Sequence, residues 1–182
     1  MDKALIGEDY HSDPELLIEQ LIDQYAEHVK KLAYTYVKDW AIAEDVTQEV
    51  FISVYKNLHR FRGESSYKTW IYKIAMNKSK DAIKSRFLRP KKLLGKLKDQ
   101  KEVYEPSAEN NVFDSIGDIK LSEAVMQLPV KYREVIMLFY YEGLKLEEIQ
   151  NITKLNLSTV KTRLRRAKAM LRDLYEEGVN HG

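Results

Sequence analysis

The chain has 182 residues, of which 44% are hydrophobic and 32% charged, with only seven Gly and four Pro. This composition favours a helical protein over a sheet-rich one. A net charge of +2 is too small to indicate nucleic acid by itself, and the absence of cysteine excludes disulfides, thiol nucleophiles and Cys-ligated metal sites.

The N-terminus is polar and acidic, without the basic start and apolar run of a signal peptide. No apolar stretch approaches the length of about 18 residues that a membrane span needs. We therefore expect a cytoplasmic protein with no direct membrane insertion.

Two helices are predicted next. Asp13, Pro14 and Glu15 supply an N-cap, a proline at the first helical position and an acid in the first turn. Apolar residues then recur at three- and four-residue steps as far as Val37, and Asp39 can cap a second helix with the same periodicity. The two apolar stripes predict that these helices pack together.

A loop and a third helix complete a first domain. Residues 60–66 have no apolar period and end in two possible N-caps, whereas residues 67–86 place Trp70, Ile71 and Ile74 toward a core. The predicted first domain covers residues 13–87.

Residues 88–114 predict a linker, because apolar periodicity fails there and a lysine-rich stretch is followed by an acidic one. A flexible tether is the preferred interpretation, and a segment with its own binding role is the alternative.

A second domain is predicted at residues 115–177. Its first helix ends before Pro129, its second covers residues 130–142 with Gly143 as C-cap, and two more cover about 146–153 and 158–177. The fold class is therefore all-α: two small helical domains joined by a flexible linker, the second containing a helix-turn-helix.

The last predicted helix is strongly basic. Seven Lys or Arg residues and no acid occur between Lys154 and Arg172, and we expect Ser158 to cap this helix. Lys161, Thr162, Arg165 and Arg166 share one face, where they can contact phosphates and base edges in a major groove. A basic helix exposed to solvent without a partner is the alternative.

The loop and third helix offer a second surface that suits unpaired nucleic acid, because rings stack on bases while cations follow the backbone. For Trp70 a core position is the preferred interpretation. The interleaved residues are Phe61, Arg62, Tyr67, Lys68, Trp70, Tyr72, Lys73, Lys78 and Lys80.

The second helix carries an acidic patch of Glu44, Asp45, Gln48 and Glu49. Four scattered histidines and the lack of a Gly-rich phosphate loop favour a solvated or protein-docking face over a catalytic one. We expect no enzyme activity, catalytic residue, metal or cofactor.

In order, these motifs resemble the extracytoplasmic-function (ECF) sigma factors, small two-domain members of the bacterial sigma-70 family. Three stretches carry the resemblance: Ala43-Glu44-Asp45-Val46-Thr47-Gln48-Glu49-Val50-Phe51, then Phe61-Arg62-Gly63-Glu64-Ser65-Ser66-Tyr67-Lys68-Thr69-Trp70-Ile71-Tyr72-Lys73-Ile74-Ala75-Met76-Asn77, and Leu128-Pro129-Val130-Lys131-Tyr132-Arg133-Glu134-Val135 with the helix-turn-helix.

The resemblance implies that the first domain is sigma region 2, which docks on the β′ clamp helices of RNA polymerase and melts the −10 promoter element. The residues that the resemblance assigns to polymerase docking are Asp45, Gln48, Glu49 and Phe51. Capture of a flipped base and of single-stranded DNA falls to Phe61, Arg62, Lys73, Asn77 and Lys80.

It also implies that the second domain is sigma region 4, which reads the −35 element as duplex. The implied contacts are Ser158, Thr159, Lys161, Thr162, Arg165 and Arg166. Ser158 stands where a glycine is commonest in the family, and Arg165 occupies a variable position. The base preference of other family members therefore cannot be assigned to this chain. Implied partners are core RNA polymerase, including its β flap, promoter DNA and an anti-sigma factor.

Two other hypotheses remain open. In one, the chain is a helix-turn-helix regulator that binds an operator without being a polymerase subunit. In the other, it is an adaptor whose basic helix contacts an acidic protein.

Overall fold

The computed structural model describes residues 13–88 and 119–180, and in these ranges the chain is helical with no strand. The N-terminal 12 residues and nearly all of the predicted linker lie outside the described residues. The α-helices are α1 (Pro14–Val37), α2 (Trp40–Asn57), α3 (Tyr67–Leu88), α4 (Ile119–Gln127), α5 (Val130–Ile136), α6 (Leu146–Thr153) and α7 (Leu157–Asn180). A 3₁₀ turn, Leu58–Arg60, follows α2, and a π-helical turn, Met137–Tyr141, extends α5.

The first unit, α1–α3, forms as the caps predict. Asp13 accepts hydrogen bonds from the backbone N–H groups of Glu15 and Leu16 at 3.0 and 3.3 Å, and Asp39 accepts one from Ile42 at 3.0 Å. The three helices pack on one another around a buried apolar core. That core includes Leu21, Val29, Leu32, Val50, Val54 and Ile71.

The second unit, α4–α7, has the predicted helix-turn-helix in α6 and α7. Gly143 takes a left-handed φ of 65°, as a C-terminal glycine does. The prediction that Ser158 caps the last helix is wrong, because α7 begins one residue earlier: the Asn156 side-chain oxygen accepts the N–H of Thr159 at 2.7 Å. The Ser158 hydroxyl in turn bonds to that same oxygen at 2.8 Å.

The two units contact each other, α1 against α5 and α3 against α6. Within the described ranges, no helix combines the length and the apolar character needed to cross a membrane.

Candidate polymerase and nucleic-acid surfaces

The basic face of α7 is open to solvent. Lys161, Thr162, Arg165 and Arg166 are all exposed, whereas Val160, Leu164 and Ala167 of the same helix are buried in the second unit. The helix is thus anchored by one face and presents the other. Its cations are free to approach a polyanion without disturbing the core.

A hollow of about 230 Å³ lies at the start of this face, between α7 and α5. Lys131 and Tyr132 of α5 line one side, and Ser158, Thr159 and Thr162 line the other. A hydrogen bond with Arg166 lowers the pKa of Tyr132, and the Lys131 ammonium lies 5.0 Å from the Tyr132 ring centre. The sequence indicated the α7 residues but missed the α5 side, because only the fold brings the two helices together.

In the first unit, an aromatic cluster lies where the loop meets α3. The Phe61 ring stacks on Tyr67 with centroids 4.3 Å apart and lies 5.1 Å from the Trp70 centroid. A groove of about 580 Å³ runs beside it, lined by Phe61, Arg62 and Gly63 together with Tyr55 and Tyr67. Trp70 is partly buried against the core, which fits the preferred interpretation.

The other residues predicted to contact the −10 element differ in how exposed they are. Arg62 and Asn77 are exposed, but Lys80 forms an ion pair at 3.0 Å with Glu134 of the second unit. Lys73 is half-buried, and the close approach of the like-charged Lys154 ammonium of the second unit lowers the pKa of Lys73. Tyr72, which the sequence placed on the aromatic-basic surface, is only 1% exposed. Its ring is therefore not available for stacking on a base.

On α2, Asp45, Gln48 and Glu49 are exposed, and Glu49 pairs with Lys78 at 3.2 Å. Phe51 is 7% exposed and belongs to the core with Val50 and Val54, so it is not among the exposed residues of this helix, and its docking role stays a prediction. Two exposed apolar side chains that the sequence missed, Ile52 and Tyr55, lie on the same helix. No group of acids or histidines in the described ranges can hold a metal ion.

Two buried carboxylates join the units, and sequence reasoning found neither. Glu134 of α5 accepts hydrogen bonds from Tyr36 at 2.9 Å and from Arg163 at 2.9 Å, besides its pair with Lys80. Its side chain is 4% exposed. The burial of Glu134 could not be predicted from apolar periodicity, because its partners Tyr36 and Lys80 come from segments that are distant in the sequence.

Glu142, which follows the π-helical turn, has a side-chain exposure of 0%. It accepts a hydrogen bond from the Tyr72 hydroxyl, and His28 Nδ1 lies 3.3 Å from its Oε1. The Lys68 ammonium donates to its backbone carbonyl at 2.6 Å. Nearby, the Thr69 hydroxyl donates to Glu148 at 3.0 Å.

These carboxylates change the titration of their partners. Burial, followed by the adjacent carboxylate, raises the pKa of Tyr36 and of Tyr72 well above the usual value, so both hydroxyls stay protonated as donors. The hydrogen bond to Glu142 raises the pKa of His28 above 6.5.

Comparison with known proteins identifies a family match for each unit. Residues 21–87 match the family model described as Sigma-70 region 2, and residues 118–171 match Sigma-70, region 4. The RNA polymerase sigma factor SigV of Bacillus subtilis is 33% identical over 156 residues, covering 86% of this chain and 89% of that protein. The ECF RNA polymerase sigma-E factor of Escherichia coli is 33% identical over 165 residues, covering 81% of each.

Two solved structures share the fold. The sigma factor RpoE of Bartonella quintana, solved with the anti-sigma factor NepR, matches with a TM-score of 0.66 at 21% identity, covering 87% of this chain and 96% of that chain. CnrH, solved with the cytosolic domain of CnrY, matches with a TM-score of 0.66 at 19% identity, covering 91% and 92%. At these identities the likeness concerns the fold alone.

Proposed function

The chain belongs to the ECF group of the sigma-70 family, and we propose on that premise that it is a sigma factor that binds core RNA polymerase and directs promoter-specific initiation. It acts by binding and catalyses no covalent chemistry itself. The observation that carries this proposal is the presence, in one chain and in order, of both sigma units, with the acidic face of α2 and the basic face of α7 exposed.

The face of α7 reads the −35 element as duplex. Lys161, Arg165 and Arg166 are exposed on the helix that enters the groove, and the hollow beside Tyr132 gives room for a phosphate or sugar next to Ser158 and Thr159. Arg163 does not belong to these DNA-contacting residues as long as its guanidinium is paired with Glu134.

The groove beside Phe61 receives the non-template strand of the −10 element. An extruded base loses stacking worth a few kcal/mol, which an aromatic wall and nearby hydrogen-bonding side chains can offset. The Phe61–Tyr67 stack supplies that wall, and Arg62 lies at the rim. Asn77, Lys73 and Lys80 extend the surface along α3.

The acidic face of α2 docks on the β′ clamp helices. Asp45, Gln48 and Glu49 supply charge and hydrogen bonds, while Ile52 and Tyr55 supply apolar contact area, which is the usual composition of an interface core with a polar rim. The β flap and an anti-sigma factor are the further protein partners that we propose.

Run-off transcription with purified core polymerase tests the proposal. Promoter-specific transcripts should require this chain, and Asp45→Ala/Glu49→Ala should abolish them without weakening binding of the free chain to duplex DNA. Specific duplex binding with no effect on initiation would support the regulator hypothesis instead. Failure to bind DNA at all, with or without polymerase, would support the adaptor.

A further inference from the structure

The hollow between α5 and α7 has the features of an anion-binding site. It is lined by Lys131, Arg163 and Arg166 together with several hydroxyl groups, and none of the described residues that line it is acidic. Its volume of about 230 Å³ lies below the roughly 300 to 1,000 Å³ of sites for drug-sized ligands. The hollow therefore fits one small negatively charged group rather than a base with its sugar.

Two contacts between α5 and α7 hold arginines of the recognition helix in different ways. Glu134, whose side chain is 4% exposed, pairs with Arg163 at 2.9 Å and so neutralises that guanidinium. Tyr132 lies one turn of chain earlier on the α5 side and bonds to Arg166 on the α7 side. A phenol carries no charge, so Arg166 is held in place while its positive charge stays available to an anion.

The Tyr132 hydroxyl can itself bind an anion. Its oxygen accepts a hydrogen bond from the Arg166 guanidinium, which leaves the hydroxyl proton free to be donated. That hydrogen bond, supported by the Lys131 ammonium, lowers the pKa of Tyr132 against the opposing effect of burial, and a more acidic hydroxyl is a stronger donor. The Lys131 ammonium lies 5.0 Å from the ring centre, so two cations and one hydroxyl donor meet at the hollow.

The hollow is continuous with the proposed duplex-binding face. Ser158, Thr159, Thr162 and Arg166 line the hollow and also belong to the α7 residues predicted to contact the −35 element. A duplex that lies on this face therefore passes over the hollow. Each strand presents a phosphate about every 3.4 Å along the helix axis, so the negatively charged group available at the hollow is a backbone phosphate.

We propose that the hollow binds one backbone phosphate of the −35 duplex, and that Tyr132 and Lys131 of α5 contact this phosphate together with Arg166. The proposal rests on the proposed function for the identity of the ligand. It adds a second helix to the duplex interface. Because residues 133–136 of α5 are buried, the phosphate contact fixes the duplex relative to the body of the second unit and not only to the recognition helix.

The test is a phosphate-by-phosphate scan of a duplex that the full chain selects from a randomised pool. In each scanned duplex a neutral methylphosphonate replaces one phosphate, and fluorescence anisotropy measures the affinity. Tyr132→Phe and Lys131→Ala remove the two α5 groups at positions outside the core. Tyr140→Phe and Lys120→Ala make the same changes at exposed positions that do not line the hollow, and they are the matched controls.

In the parent chain, methylphosphonates along the bound face should weaken binding. At one position this penalty should shrink about threefold or more in both Tyr132→Phe and Lys131→Ala, and it should stay unchanged in the controls. For the unmodified duplex, Tyr132→Phe should weaken binding about tenfold without changing its salt dependence, since the charge is the same. Lys131→Ala should reduce the slope of the logarithm of the binding constant against that of salt concentration by about 0.9.

A scan that is the same in the α5 variants and in the parent would overturn the phosphate site and leave the proposed function intact. A penalty that shrinks at different positions in the two variants, or equally in the controls, would overturn it as well, and so would parent-like affinity of Tyr132→Phe for the unmodified duplex. A parent chain that selects no duplex from the pool would instead contradict the proposed function and the phosphate site together.

Discussion

The salt dependence of duplex binding gives the sharpest test of the α7 face. Lys161, Arg165, Arg166 and Lys168 are exposed on this helix, and neutralising four phosphates gives a slope of about −3.6 for the logarithm of the binding constant against that of salt concentration. Binding of a short B-form duplex should then weaken about 150-fold between about 50 and 200 mM salt.

Replacing Lys161 and Arg166 with alanine removes two of these contacts. The slope should fall to about −1.8, and the same salt interval should cost only about 12-fold. The fold should be unaffected, because both side chains are exposed. Fluorescence anisotropy of labelled duplex across a salt series measures both slopes.

The matched control is Lys56→Ala/Lys84→Ala, which makes the same charge change at exposed positions of the first unit. If both double variants lose the same slope, the effect reflects overall charge, and the assignment of α7 as the duplex-binding helix is refuted.

Three further predictions concern the first unit and the domain contact. Asn77→Ala should impair promoter opening, followed by permanganate reactivity of unpaired thymines, more than polymerase binding, because Asn77 is exposed; equal loss of both would indicate misfolding or docking instead. Asp39→Ala should lower the free energy of unfolding by about 1 kcal/mol through loss of the α2 cap, measured by urea denaturation, and no change would show that the cap contributes nothing. Since the hydrogen bond to Glu142 raises the pKa of His28, against the opposing effects of burial, Lys68 and Lys31, protonated His28 should favour contact between the two units. The fraction of chains whose units are in contact should be greatest below about pH 6.5 and fall as pH rises through the raised pKa. The distance between spin labels at Glu19→Cys and Asp173→Cys, both exposed, measures this fraction, and in a His28→Gln background that distance should not depend on pH.

Much of the fold follows from local signals in the sequence. Asp13 and Asp39 cap α1 and α2, and Gly143 takes the positive φ expected after a helix. These features depend on a few neighbouring residues, so sequence reasoning can find them. The misplaced cap at Ser158 shows the limit, since Asn156 and Ser158 are both good cap residues and the structure uses Asn156.

The candidate site was predictable where exposure follows helical periodicity. That rule holds for Lys161, Arg165 and Arg166 of α7, and by the same rule the spacing of Phe51 and Val54 on α2 indicates a core position for Phe51. The first-unit partners of Glu134 and Glu142 could not be predicted from the sequence, because they are distant along the chain: Tyr36 lies 98 positions from Glu134, and Tyr72 lies 70 positions from Glu142. Long-range polar contacts of this kind leave no periodic pattern in the sequence.

Four consecutive residues at the start of α5 face two different environments: Lys131 and Tyr132 line the hollow beside α7, whereas Arg133 and Glu134 are buried, Glu134 in the contact with the first unit. One helical turn therefore takes part in two equilibria, the binding of duplex DNA at the hollow and the association of the two units. If separating the units shifts α5, duplex affinity at the hollow changes, and by thermodynamic reciprocity duplex binding must change the separation equilibrium by the same factor. The free energy of binding at one promoter element would then contribute to engagement of the other.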